Sequence, residues 1–154
     1  QADVDFSKFI PLKEFTDINL WVGPAGIMTG LHYDRGNNFF IQILGEKKMW
    51  LCNPYEFYNL YPNPFYSKAP HMSVVNLSEL DYKKYPKLKN AKIFEIVIPA
   101  GTILYIPSFW WHQVYSITQS VSVNMWWQPT ILQKLVPGNL HNCLNRFLNL
   151  CKLK

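Results

Sequence analysis

The run Thr29-Gly-Leu-His32-Tyr-Asp34 sets an imidazole and a carboxylate two residues apart, and Pro107-Ser-Phe-Trp-Trp-His112 supplies a second imidazole eighty residues later. In an extended segment, side chains at i and i+2 leave the same face, so His32 and Asp34 can converge on one point. The spacing alone is common, and a distant histidine adds to it only where the fold brings the two together. Two imidazoles and one carboxylate on one side of a metal leave the opposite positions open. That donor set suits non-haem Fe(II) and oxygen chemistry. The other two of the four histidines, His71 and His141, have no such company and read as surface or packing residues.

Other polar residues fall at positions that could face the same point. Asn38, Phe40 and Gln42 share one parity along an apolar run, as do Ser120, Ser122, Asn124 and Trp126 further on. Asn124 is either a structural hydrogen bonder or a contact to a cosubstrate. Lys47 either faces solvent, like its neighbour Lys48, or points inward. An unpaired ammonium is costly inside, so a small dicarboxylate would be its natural complement.

Short strands must position these groups. Ile18 to Val22 reads as a strand stopped at Gly23-Pro-Ala-Gly26, Asn38 to Leu44 as a second, and Lys47 to Leu51 as a third, joined to the second as a hairpin through Gly45-Glu46. Residues 53 to 90, rich in Tyr, Pro, Asn and Ser, form a long and partly ordered excursion. Strands then recur at Ile93 to Ile98, Thr102 to Ile106, Trp110 to Tyr115 and Ser120 to Trp127. A short helix could start at Asp5. Past Pro129 the period changes to that of a helix: Leu140, Cys143, Leu144, Phe147, Leu148 and Cys151 form a stripe, with Asn139 as its N-cap. The stripe either docks on the barrel or pairs with a second copy, giving a homodimer.

With 154 residues, 49% of them apolar, one domain is expected over 1–154, with a β core at 17–128 and a helical segment at 130–154. The start at Gln1 rather than Met leaves a removed upstream segment open. Net charge is +5, but the lysines are dispersed, so a solvated basic surface is better supported than a nucleic-acid face. Three cysteines without CxxC spacing favour a reducing compartment, cytoplasm or nucleus. No run of roughly 18 apolar residues is present to span a membrane.

In order along the chain, Trp21 to Asp34, Asn38 to Lys47, Leu60-Tyr-Pro, Pro99 to His112 and Ser122 to Trp127 resemble the cupin-like JmjC hydroxylases. Among these are the asparaginyl hydroxylase acting on hypoxia-inducible factor and its small JmjC-only relatives. The resemblance implies a mainly β fold, a double-stranded β-helix of the cupin or jelly-roll kind closed by the C-terminal helix. It implies a 2-oxoglutarate-dependent dioxygenase using Fe(II) and O₂, with His32, Asp34 and His112 as metal ligands. It further implies that Thr29 and Lys47 hold the far carboxylate of 2-oxoglutarate, that Asn38 and Asn124 lie near the cosubstrate, and that Phe40 and Trp126 form its wall. The expected substrate is a protein or peptide, with the Tyr55 to Tyr66 stretch suited to an extended chain. Lysine demethylation and RNA-base hydroxylation are the alternatives within the fold, and a non-catalytic cupin-like binding module is the alternative outside catalysis.

Overall fold

The computed structural model describes residues 10–152, apart from the side chains of Leu12 and residues 145–152. The helix start expected at Asp5 lies outside them. Among the described residues, eight strands form two antiparallel four-stranded sheets. In chain order these are β1 (Phe15–Gly23), β2 (His32–Tyr33), β3 (Asn37–Leu44), β4 (Lys47–Cys52), β5 (Ile93–Ile98), β6 (Ile103–Ile106), β7 (Trp111–Ser116) and β8 (Ser120–Trp127), followed by the helix α1 (Pro137–Lys152). One sheet has the order β1-β8-β3-β6 and the other β2-β7-β4-β5. Except at the step from β4 to β5, each strand is followed by one in the opposite sheet. That alternation winds the chain into the double-stranded β-helix.

The alternation overturns the expected β3–β4 hairpin. β3 pairs with β6 and β8, whereas β4 pairs with β5 and β7. Gly45 turns the chain out of one sheet into the other at φ 71°, a conformation that costs a residue with a Cβ. A Cβ there would also collide with the Gln119 carbonyl oxygen in the β7–β8 turn.

Two apolar clusters hold the molecule. Phe40, Met49, Leu51, Ile98 and Ile106 fill the space between the sheets. A larger cluster covers the outer side of the β2–β7–β4 surface, where Tyr33, Trp50, Cys52 and Trp111 meet Phe57, Leu60, Val75, Leu77 and Leu88. Residues 53–90 are therefore more ordered than their composition suggests. They contribute five buried side chains and 3-10 turns at Pro54–Asn59 and Pro86–Asn90. The segment also props β2: Tyr33 N donates to His71 O at 3.1 Å, and Ser73 N to Leu31 O at 2.9 Å.

The helix begins at Pro137, two residues before the expected cap. Asn139 instead donates from its side chain to Lys134 O at 3.0 Å. Proline suits the first turn because its missing N–H would have had no partner there. Among the described residues, no helix is long and apolar enough to cross a membrane.

Candidate metal centre and cosubstrate cavity

β2 is two residues long, yet it places the site. His32 pairs directly with His112 on β7, and Tyr33 with Trp111, so the two histidines face the interior while Tyr33 and Trp111 face the outer cluster. The imidazole centroids are 4.3 Å apart. His32 Nδ1 lies 2.8 Å from Gly30 O and His112 Nδ1 lies 3.0 Å from Trp110 O. A carbonyl can only accept, so each Nδ1 carries a proton and each Nε2 is the atom turned toward the site. Burial, together with the neighbouring His32, holds the His112 pKa down to about 4, which keeps this imidazole neutral at ordinary pH.

Asp34, next on the loop after β2, brings Oδ2 to 3.7 Å from His112 Nε2. That is too long for a hydrogen bond and leaves room for an ion between them. One ligating atom from each of His32, Asp34 and His112 lies within 4.8 Å of the others. Two imidazoles with their Nδ1 atoms tied to carbonyls and one carboxylate fit a divalent first-row metal.

These donors open onto a cavity of about 370 Å³. Every residue to which the resemblance gave a role lines it, namely Thr29, His32, Asp34, Asn38, Phe40, Lys47, His112, Asn124 and Trp126, whereas Gln42 and Ser122, which share parity with some of them, do not. Lys47 lies four residues along the ladder from the histidines, since it pairs with Ser116 while Leu51 pairs with His112. At about 3.3 Å per residue this separates their backbones by about 13 Å. The side chain is buried, 8% exposed, so the solvent-facing alternative for Lys47 fails. Its Nζ donates to Ser122 Oγ at 2.8 Å and sits over the Phe40 ring. Desolvation lowers its pKa. Among the described residues no carboxylate pairs with it.

Asn38 is 1% exposed, and neither its amide nitrogen nor its oxygen has a partner. A buried amide left in this state is costly, and the cavity beside it is where a polar ligand would restore the bonds. Thr29 Oγ1 accepts from Val114 N at 2.9 Å, which leaves its O–H free to donate. Ser116 and Ser120, both buried, also line the Lys47 end. Ser116 was missed, although it shares the parity of His112 on β7. No residue of 53–90 lines the cavity, so the Tyr55 to Tyr66 stretch is no part of its wall. His141 is a packing residue as expected, bonded through Nε2 to Asn63 O at 2.8 Å.

With a double-stranded β-helix carrying this donor set, the class is that of the cupin-like metal sites. Residues 1–133 match the family model described as a cupin-like domain, and the chain belongs to that family. It is 43% identical over 111 residues to JmjC domain-containing protein D of Dictyostelium discoideum, covering 72% of this chain and 25% of that protein. To the tRNA wybutosine-synthesizing protein 5 of Mus musculus it is 32% identical over 127 residues, covering 82% and 39% respectively. A solved structure of YcfD, a ribosomal oxygenase from Escherichia coli in complex with cobalt and 2-oxoglutarate, shares the fold. Its TM-score is 0.53 at 17% identity, over 92% of this chain and 31% of that one. The chain thus spans 25% and 39% of the lengths of these two curated relatives.

Proposed function

We propose that this chain is the catalytic barrel of an Fe(II)- and 2-oxoglutarate-dependent oxygenase that hydroxylates a C–H bond on a protein side chain. The observation that carries the reading is one cavity with three metal donors at one end and, at the other, a buried ammonium that among the described residues has no carboxylate partner. When bound, Fe(II), O₂ and 2-oxoglutarate supply the oxidising power, so that the substrate carbon gains a hydroxyl while 2-oxoglutarate loses CO₂ and becomes succinate. The chain's own residues bind and orient. His32, Asp34 and His112 would hold the metal. Lys47 and the free O–H of Thr29 would hold the distal carboxylate, Asn38 and Asn124 would bond the polar groups near the donors, and Phe40 would exclude water from between them.

A protein substrate is favoured over RNA by the charge of the lining. Its basic residue, Lys47, is buried, and Trp21, Val22 and Ile27 contribute exposed apolar surface. Phosphate contacts call for Lys or Arg at such a surface. The same C–H oxidation on an N-methyl carbon would release formaldehyde, so demethylation differs in substrate rather than in machinery. The reading places the protein in the cytoplasm or nucleus, supported by the free thiols Cys52 and Cys143. It also gives α1 a second copy to meet, supported by the exposure of Leu140 and Leu144.

Anaerobic addition of 2-oxoglutarate to the Fe(II)-loaded protein should produce a weak visible charge-transfer band that is absent from His32→Ala. Neither band nor succinate formation in the native chain would leave a binding module as the better description. Mass spectrometry after incubation with peptides or with tRNA should show one added oxygen on peptide; addition on tRNA alone would reverse the substrate assignment.

A further inference from the structure

The geometry points to Trp126 as the positioning residue for Asp34, acting through its indole N–H rather than as a wall for the cosubstrate; the inference rests on the metal-centre reading above. Trp126 Nε1 donates to Asp34 Oδ2 at 3.2 Å. The indole N–H is a donor only, and here it reaches from β8 in one sheet to a loop that follows β2 in the other.

Asp34 is the donor that needs such a tie. Both histidine rings are oriented by a carbonyl two residues upstream in their own segments, whereas the Asp34 side chain is 31% exposed. Untethered, a carboxylate can turn to solvent or present both oxygens to one ion. Its backbone is already fixed, since Phe109 N donates to Asp34 O at 2.7 Å. The remaining freedom lies in the side chain, and the indole holds Oδ2, the same oxygen that lies 3.7 Å from His112 Nε2. The tie thus fixes the rotation of the carboxylate with Oδ2 toward the histidines, where an untethered side chain would turn away.

The loop is shaped to make this contact. A Cβ on Gly36 would come within 3.2 Å of Trp127 O and 3.5 Å of Trp126 Cδ1, so glycine lets the segment after Asp34 lie against β8. The adjacent Trp127 packs on Phe15, Phe39 and Tyr105, on the outward side of the sheet. It serves as an internal control.

Titration of the metal-free protein with Co(II), followed by its visible d–d absorption, separates a wall from a positioning group because Trp126→Phe keeps a ring and removes the N–H. The expected result is a loss of Co(II) affinity of roughly 10- to 100-fold, the usual effect of removing an outer partner of a ligand, together with a changed band intensity. Trp127→Phe should leave both unchanged. If Trp126→Phe fails to fold, Gly36→Ala reads the same tie by pushing the loop off β8 and should also weaken Co(II) binding. Native-like affinity and spectrum in folded Trp126→Phe would overturn the positioning role while leaving the metal centre intact. Absence of Co(II) binding in the native protein would overturn both.

Discussion

Lys47 shows how the site and the fold compete within one residue. A buried ammonium costs solvation, and a well-packed apolar replacement is often neutral or stabilising. Lys47→Met should therefore raise the stability of the ligand-free chain by about 1 kcal/mol in urea denaturation, while lowering 2-oxoglutarate affinity at least tenfold by calorimetry. A stability loss with unchanged affinity would make Lys47 structural. Cys52 gives a pH signature. Burial, aided by the Glu56 carboxylate, pushes its thiol from the ordinary 9.0 up to about 12. The unfolded chain then releases this proton first, so the stabilising contribution is whole below pH 9 and is lost as pH rises toward 12. Alkaline urea titration of native and Cys52→Ala proteins should show a shallower decline in the variant. Side-chain roles were unevenly legible: parity gave Asn38, Phe40 and Asn124 shared faces and the family resemblance set them near the cosubstrate, but neither could reveal that the Trp126 N–H meets Asp34, a contact between sheets.

At the level of elements, strand content was largely readable because β-branched and aromatic runs alternate between turn signals. Pairing was not. A tight turn looks the same in sequence whether the next strand returns beside the first or crosses to the facing sheet, and Gly45-Glu46 does the second. What decides it is the approach of Gln119, seventy-four residues away in the chain. Gly45→Ala should therefore cost about 2 kcal/mol or more, combining left-handed strain with a backbone collision. Differential scanning calorimetry would read it, and a native-like melting temperature would mean that the crossing tolerates a shift of the β7–β8 turn. The excursion conceals its buried side chains for a related reason. Phe57, Leu60, Val75 and Leu77 have no regular period because they cover a sheet from irregular backbone, where neither 2 nor 3.6 applies.

In the whole molecule, one outer surface is sheltered by residues 53–90 while the opposite sheet carries Ile18, Leu20 and Val22 more than half exposed. The site stands between these unequal layers, with its imidazoles on adjacent strands but far apart in sequence. The β2–β7 pairing thus sets the timing of assembly. Bringing His32 to His112 closes a loop of eighty residues, and non-local pairing of this kind is slow and late. A divalent ion offered to the refolding chain meets scattered single donors until the barrel has closed, so the stabilisation it brings falls after the rate-limiting barrier. Stopped-flow measurements with excess Co(II) should show unfolding slowed and refolding unchanged; faster refolding would mean that β2 and β7 dock early. The ion then acts as a latch on a finished barrel, setting its lifetime rather than its speed of formation.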